Sequence, residues 1–135
     1  MASSAKVVAP VAGGDAFSPG QKHEIDKAIR DAETLSRLEF SVYVGRADGE
    51  TRPFAERLHA GLATPDRSVL VLVDPAAQLL EVVTGRTARR ALDDAEVKLA
   101  TLAMQSAFAA GDIVGGITRG LQQLAEHARR PELRR

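Results

Sequence analysis

Five apolar residues in succession, Val69-Leu70-Val71-Leu72-Val73, constrain this chain more than any other stretch. The run is too short for a helix of ordinary length and is mostly β-branched, which is how a strand covered on both faces reads. Asp74-Pro75-Ala76-Ala77 supplies a turn, and Leu79 to Val83 reads as a second strand coming back. A four-residue turn forces the two strands to be antiparallel neighbours. The rest of the chain must cover both faces of this ribbon.

Upstream, Ser18-Pro19-Gly20-Gln21 has the form of a helix start, with Ser18 as N-cap, Pro19 at the first helical position and Gln21 completing a capping box. Ile25, Ala28, Ile29, Ala32 and Leu35 follow as one apolar stripe. Leu38 to Val44 alternates, with Phe40, Val42 and Val44 on one face and Glu39, Ser41 and Tyr43 on the other, and predicts a strand with one well-buried face. Arg52 to Ala60 predicts a short helix ended by Gly61. Arg86 to Leu92 reads as a basic turn or short helix, and Asp93 with Glu96 opens a long helix to about Ala110. The apolar residues of that helix (Val97, Leu99, Ala100, Leu102, Ala103, Met104, Ala107, Phe108) cover a wide arc and predict that it lies deep. Asp112 caps a last helix with Ile113, Ile117, Leu121, Leu124 and Ala128 as its buried stripe. Inside it, Gly115, Gly116 and Gly120 cost about 1 kcal/mol each against alanine, so a close neighbour is expected there.

A strand–helix–strand step favours a right-handed parallel crossover. The predicted class is therefore α/β: a three-layer α/β/α sandwich with a mixed, mostly parallel central sheet and one antiparallel hairpin. One domain over 17–128 is expected, between an N-terminal arm, 1–16, read as disordered, and a basic frayed tail, 129–135.

Composition removes whole classes of function. The 18 basic and 18 acidic residues balance, so no global field steers the chain toward nucleic acid. Four Phe, one Tyr and no Trp argue against base-stacking platforms. Without cysteine there is no disulfide, thiolate zinc site or thiol catalysis. Val7 to Ala12 is broken by Pro10, unlike a secretory apolar core, and no run approaches the ~20 residues of a membrane span, so the expected location is cytoplasmic.

Chemistry-bearing residues are sparse. His23, His59 and His127 show no metal-site spacing and are expected to be simple solvated histidines. No nucleophile elbow and no phosphate loop occurs. Asp66, Asp93 and Asp94, with Glu39 as an outer member, are the candidates for a hard cation such as calcium at one sheet edge. Their simpler roles are Asp93 as a helix cap and Glu39 as a solvated acid, beside Asp112 as a second cap and Asp74 as a turn former. Arg86, Arg89 and Arg90 cluster before Asp93, where guanidinium forks can bind phosphate or an acidic protein, or else form a solvated basic turn. No residue is assigned a catalytic role.

From Phe17 to about Ala125 the order of pieces resembles the TPM-domain family, named for thylakoid-lumen, photosystem-associated and receptor-modulating members. The resemblance rests on Phe17-Ser18-Pro19, Glu39 to Val44, Pro65 to Val73, Leu79 to Gly85, Leu92-Asp93-Asp94 and, most specifically, Gly111-Asp112-Ile113-Val114-Gly115-Gly116-Ile117-Thr118-Arg119-Gly120-Leu121. It is closest to an actinobacterial branch. The resemblance implies an α/β/α sandwich and either a calcium-binding, acid-phosphatase-like activity or an accessory role in membrane-complex assembly. Where such domains carry Gly-x-Gly-x-Glu, this chain has Gly85-Arg86-Thr87-Ala88-Arg89, and only Asp94 aligns cleanly with the acidic pattern. A cation in place of a ligand carboxylate repels a divalent ion. The first expectation is thus a non-catalytic accessory or protein-binding domain without cofactor, acting on a protein partner that can belong to a membrane-associated complex. A calcium-dependent phosphatase-like hydrolase is the alternative, and an anion-binding module at Arg86–Arg90 the third reading.

Overall fold

The hairpin around the valine–leucine ribbon is the middle of the fold. A computed structural model of the chain describes residues 7–8 and 17–129. The elements run β1 (Val7–Val8), α1 (Pro19–Ser36), β2 (Glu39–Val44), α2 (Thr51–Ala60), β3 (Ser68–Asp74), β4 (Leu79–Thr84), α3 (Ala88–Ala91), α4 (Asp94–Ala109) and α5 (Ile113–Ala128), with a 3-10 turn at Pro65–Arg67 leading into β3. Strand order is β1-β2-β3-β4. The first two pairings are parallel and the β3–β4 hairpin is antiparallel. The protein is thus a mixed α/β fold whose sheet consists of three full strands and the two-residue β1. The expected arm and tail otherwise fall on 1–6, 9–16 and 130–135, outside the described residues.

Every residue of β3 is buried. Register places Val42 beside Val71 and Val71 beside Val82, so one face of the sheet is a valine plate. α1, α4 and α5 pack on it through Ile25, Ile29, Met104, Ile117, Leu121 and Leu124. The other face, Tyr43, Leu70, Leu72 and Val83, meets Phe54, Ala55 and Leu58 of α2. Each fully buried Val or Leu contributes roughly 1.5–3 kcal/mol, so the plate dominates stability.

Two expectations are corrected. β2 is buried on both faces, because α2 lies over Tyr43, whose ring meets Phe54 edge-on at 5.4 Å. α4 does not lie deep: only Ala100 and Met104 are buried, while Leu99 and Leu102 stay 55% and 52% exposed. It packs against α5 on one side and β4 below, with no helix on its outer flank among the described residues. Gly116 and Gly120 do meet a neighbour, since a Cβ there would fall 2.6 Å from the Phe108 ring and 2.4 Å from the Met104 sulfur. Gly115 instead faces the Asp112 carboxylate that caps its own helix. Among the described residues no helix is long and apolar enough to cross a membrane.

Candidate functional site

The folded chain gives the members of both residue sets that the sequence suggests different partners. Asp66 sits exposed on the 3-10 turn, its carboxylate 3.7 Å from the Arg86 guanidinium. The Asp93 carboxylate accepts from the Glu96 amide at 2.9 Å, closing the capping box of α4. Glu39 begins β2, half-buried and in register with Ser68. Among the described residues no group of three or more His, Cys, Asp or Glu side chains is placed to hold a metal ion. Of the arginines, Arg86 turns to Asp66, Arg90 is exposed on α3, and Arg89 folds back to donate to the Thr84 carbonyl at 3.2 Å.

One residue from each set, Asp94 and Arg89, shares a groove of about 310 Å³ with Arg52, Glu81, Lys98 and the backbone of β4. Its floor is the free edge of the sheet. Arg52 reaches from the first turn of α2 and divides its guanidinium between Glu56 (3.0 Å), Glu81 (3.1 Å) and the Val82 carbonyl (3.0 Å). Burial works against the charge of Arg52, but the hydrogen bonds and charges of Glu81 and Glu56 outweigh it and hold its pKa above the ordinary arginine value. Lys98, on α4, adds a third cation.

The two carbonyls held by arginine mark which way β4 faces. In an antiparallel strand a residue's N–H and C=O point to the same side, and the side alternates along the chain. Val82 and Thr84 therefore turn both groups outward, and Leu80 shares their phase. Gly85, in the opposite phase, donates inward to the Ser68 carbonyl at 2.9 Å. No strand lies beyond β4 among the described residues. The same trough continues toward the hairpin turn as a groove of about 410 Å³, sharing Leu80 and walled by Phe108 and Gln105 of α4.

At that turn Asp74 is buried and accepts from the amides of Ala47 (3.3 Å) and Ala77 (3.2 Å), the turn-forming role expected of it. Nearby, Tyr43 donates its phenol to the Arg46 carbonyl at 2.8 Å. Burial, then the charges of Asp74 and Asp48, push the Tyr43 pKa up. His59 corrects an expectation: it is buried, and Nε2 lies 2.9 Å from the Ser68 carbonyl, which can only accept, so Nε2 carries the proton. His127 is half-buried, 3.8 Å from Glu96, and His23 is exposed.

Sequence reasoning missed Arg52 and Lys98. The one available signal is Glu81, a lone acid inside the apolar run Leu79 to Val83, which needs a cation brought from elsewhere.

A family model, "Domain of unknown function (DUF5130)", matches residues 2–125. The chain belongs to this family. DUF5130 membership spans both the sheet and the groove. Among curated proteins, the chain is similar to "Uncharacterized protein Rv2468c" and "Uncharacterized protein MT2543" from two strains of Mycobacterium tuberculosis, each 28% identical over 75% of this chain. It spans 60% of the length of those relatives. Among solved structures, the BA42 protein of the psychrophilic bacterium Bizionia argentinensis shares the fold with a TM-score of 0.77 at 17% identity, covering 87% of this chain and 84% of that one. The N-terminal domain of cg2496 from Corynebacterium glutamicum matches with a TM-score of 0.73 at 16% identity, over 93% of this chain and 84% of that one. An N-terminal domain from P. gingivalis follows at 0.71 and 15%, over 90% of this chain and 80% of that one. At such identities the likeness speaks for the fold alone.

Proposed function

We propose that residues 17–128 form a non-catalytic accessory domain that works in the cytoplasm by binding a protein, built as a TPM-like three-layer α/β/α sandwich. The observation that carries this reading is the character of the groove along β4. It offers outward backbone groups and guanidinium donors, whereas the carboxylates Asp66 and Asp93 are engaged elsewhere, one with Arg86 and one with its own helix. Hydrolysis of a phosphoester by a bound divalent ion needs oxygen ligands converging on one point. Backbone edges and arginines suit peptide recognition instead. The partner fits the accessory role that the TPM resemblance implies, including one within a membrane-associated complex.

The reading is tested by following backbone amide shifts while calcium, inorganic phosphate and p-nitrophenyl phosphate are added in turn. Silence at Asp66, Asp93 and Asp94 with calcium, and no turnover, is the expected result. Localised calcium shifts with turnover would overturn it in favour of the hydrolase. Phosphate shifts confined to Arg86, Arg89 and Arg90 would overturn it in favour of an anion module.

A further inference from the structure

The helix layer of this fold is wider than its sheet. α1, α5 and α4 lie side by side in that order, each neighbouring pair in contact. Packed helices stand about 8–10 Å apart, while strands stand about 4.8 Å apart. Three helices therefore outreach three full strands and the short β1. The surplus falls on the β4 side, where α4 overhangs the free edge and the two grooves run end to end beneath it. Along this trough the side chains of Leu80 and Val82 join the core on the α4 side, and Val97 and Phe108 look down from above.

The geometry points to a strand-docking site: β4 and the underside of α4 accept one extended peptide segment as a further strand of the sheet. This rests on the protein-binding reading and names the surface and the class of partner. The incoming backbone takes up the outward N–H and C=O groups of Leu80, Val82 and Thr84. Side chains alternate across a strand, so every second residue of the guest faces Val97 and Phe108 and is apolar. Charge selects the rest. The Thr84 half of the trough holds Arg52, Arg89 and Lys98 against Glu81 and Asp94, and Arg89 donates to the Thr84 carbonyl, an uncharged acceptor. A guest carboxylate there gives that guanidinium an ionic partner and frees the carbonyl for a guest amide. In the free protein the two arginines shield the edge, as charged side chains do on exposed edge strands.

The probe is a hexapeptide, acetylated and amidated, in which Val-Thr-Val-Thr stands between two terminal glutamates, so that either strand direction brings an acid to Arg89. Its lysine-ended counterpart is the control. The expected result is saturable amide shifts at Leu80, Val82, Thr84, Val97 and Thr101 with the acidic peptide and none with the basic one. Combined R89E and K98E weakens binding about tenfold, as the loss of two surface charge pairs does. Thr84→Pro removes an outward N–H without touching the β3 ladder and abolishes those shifts while the fold is retained. Shifts elsewhere, equal binding of the lysine peptide, or binding indifferent to R89E/K98E would overturn the proposal. So would a peptide-free dimer with β4 amides already protected, which assigns the edge to a second copy. Capture of the native partner with β4 variants as efficient as the natural chain would sink strand docking and leave the protein-binding reading standing. Calcium-dependent turnover with localised shifts at Asp66, Asp93 and Asp94, the peptide still binding at β4, would sink the non-catalytic reading and leave strand docking standing.

Discussion

Replacing Gly85 with alanine probes the joint between the hairpin and the 3-10 turn before β3. A Cβ at this buried position would stand 1.9 Å from the Pro65 carbonyl oxygen and 2.5 Å from that of Asp66. Carbon and carbonyl oxygen settle at about 3.3 Å or more, so the two segments must separate by about 1.4 Å. Neither can swing aside, because both are backbone. Gly85 N–H is bound to Ser68 and Thr87 N–H to the Asp66 carbonyl, each at 2.9 Å. Overpacking of this kind costs about 1–3 kcal/mol. Loss of one of the two hydrogen bonds adds about 1 kcal/mol. Alanine restricts the unfolded chain and returns about 0.4–1 kcal/mol. The net expectation is a destabilisation of about 2–3 kcal/mol, read in urea as a midpoint lowered by about 1–2 M at unchanged slope. Gly120→Ala is the matched comparison, since its new methyl meets the thioether of Met104, 2.4 Å away, rather than backbone. The Met104 Cγ lies 2.5 Å away as well, so this buried side chain must repack from Cγ outward; that overpacking of about 1–3 kcal/mol is offset by about 1 kcal/mol of helix propensity, for a net loss of about 0–2 kcal/mol. A Gly85 variant as stable as the Gly120 variant would refute the reasoning.

The remaining predictions are simpler to read. Tyr43 is the chain's one tyrosine and there is no tryptophan, so absorbance near the phenolate band reports it alone. Its midpoint is expected above the ordinary 10.0, and Asp74→Asn lowers it part of the way, since burial remains the larger cause. Because the folded chain holds this proton more tightly, stability is undiminished below pH 10.0 and falls as pH rises through the folded-state value; a midpoint at or below 10.0 would contradict this. Val71→Asp places a charge at a position with 0% exposure, a cost of several kcal/mol against a typical total of about 5–15, and is expected to abolish the folded circular dichroism signal.

The elements were legible because their signals are local. Ser18 with Gln21 and Asp93 with Glu96 form the capping boxes their spacing announces, and the ribbon Val69 to Val73 is enclosed on both sides. What failed was burial that depends on a distant element. Alternation along β2 left Tyr43 on a solvent face, and only the placement of α2 over it makes that face a second core. The wide apolar arc of α4 promised depth, but the helix has a neighbour on one flank and none on the other among the described residues, so Leu99 and Leu102 remain outside. His59 was invisible for the same reason: the Ser68 carbonyl that holds it is nine residues away and belongs to another element.

The candidate site shows why charge patterns along a sequence misjudge function in a fold like this. Arg86, Arg89 and Arg90 look like one patch because they are neighbours in the chain. Arg86 lies in the turn before the four-residue helix that carries Arg89 and Arg90, and folding sends Arg86 to Asp66 and Arg89 to the Thr84 carbonyl. The partner that completes the basic side of the groove, Arg52, is 30 residues from the Val82 carbonyl it binds. Both arginines end on outward carbonyls of the same strand, two residues apart, which is the phase of a free sheet edge. The inward carbonyls of β4 are spent on β3, so the outward ones are what a guanidinium brought to this edge can bind, and an incoming strand competes for the same groups.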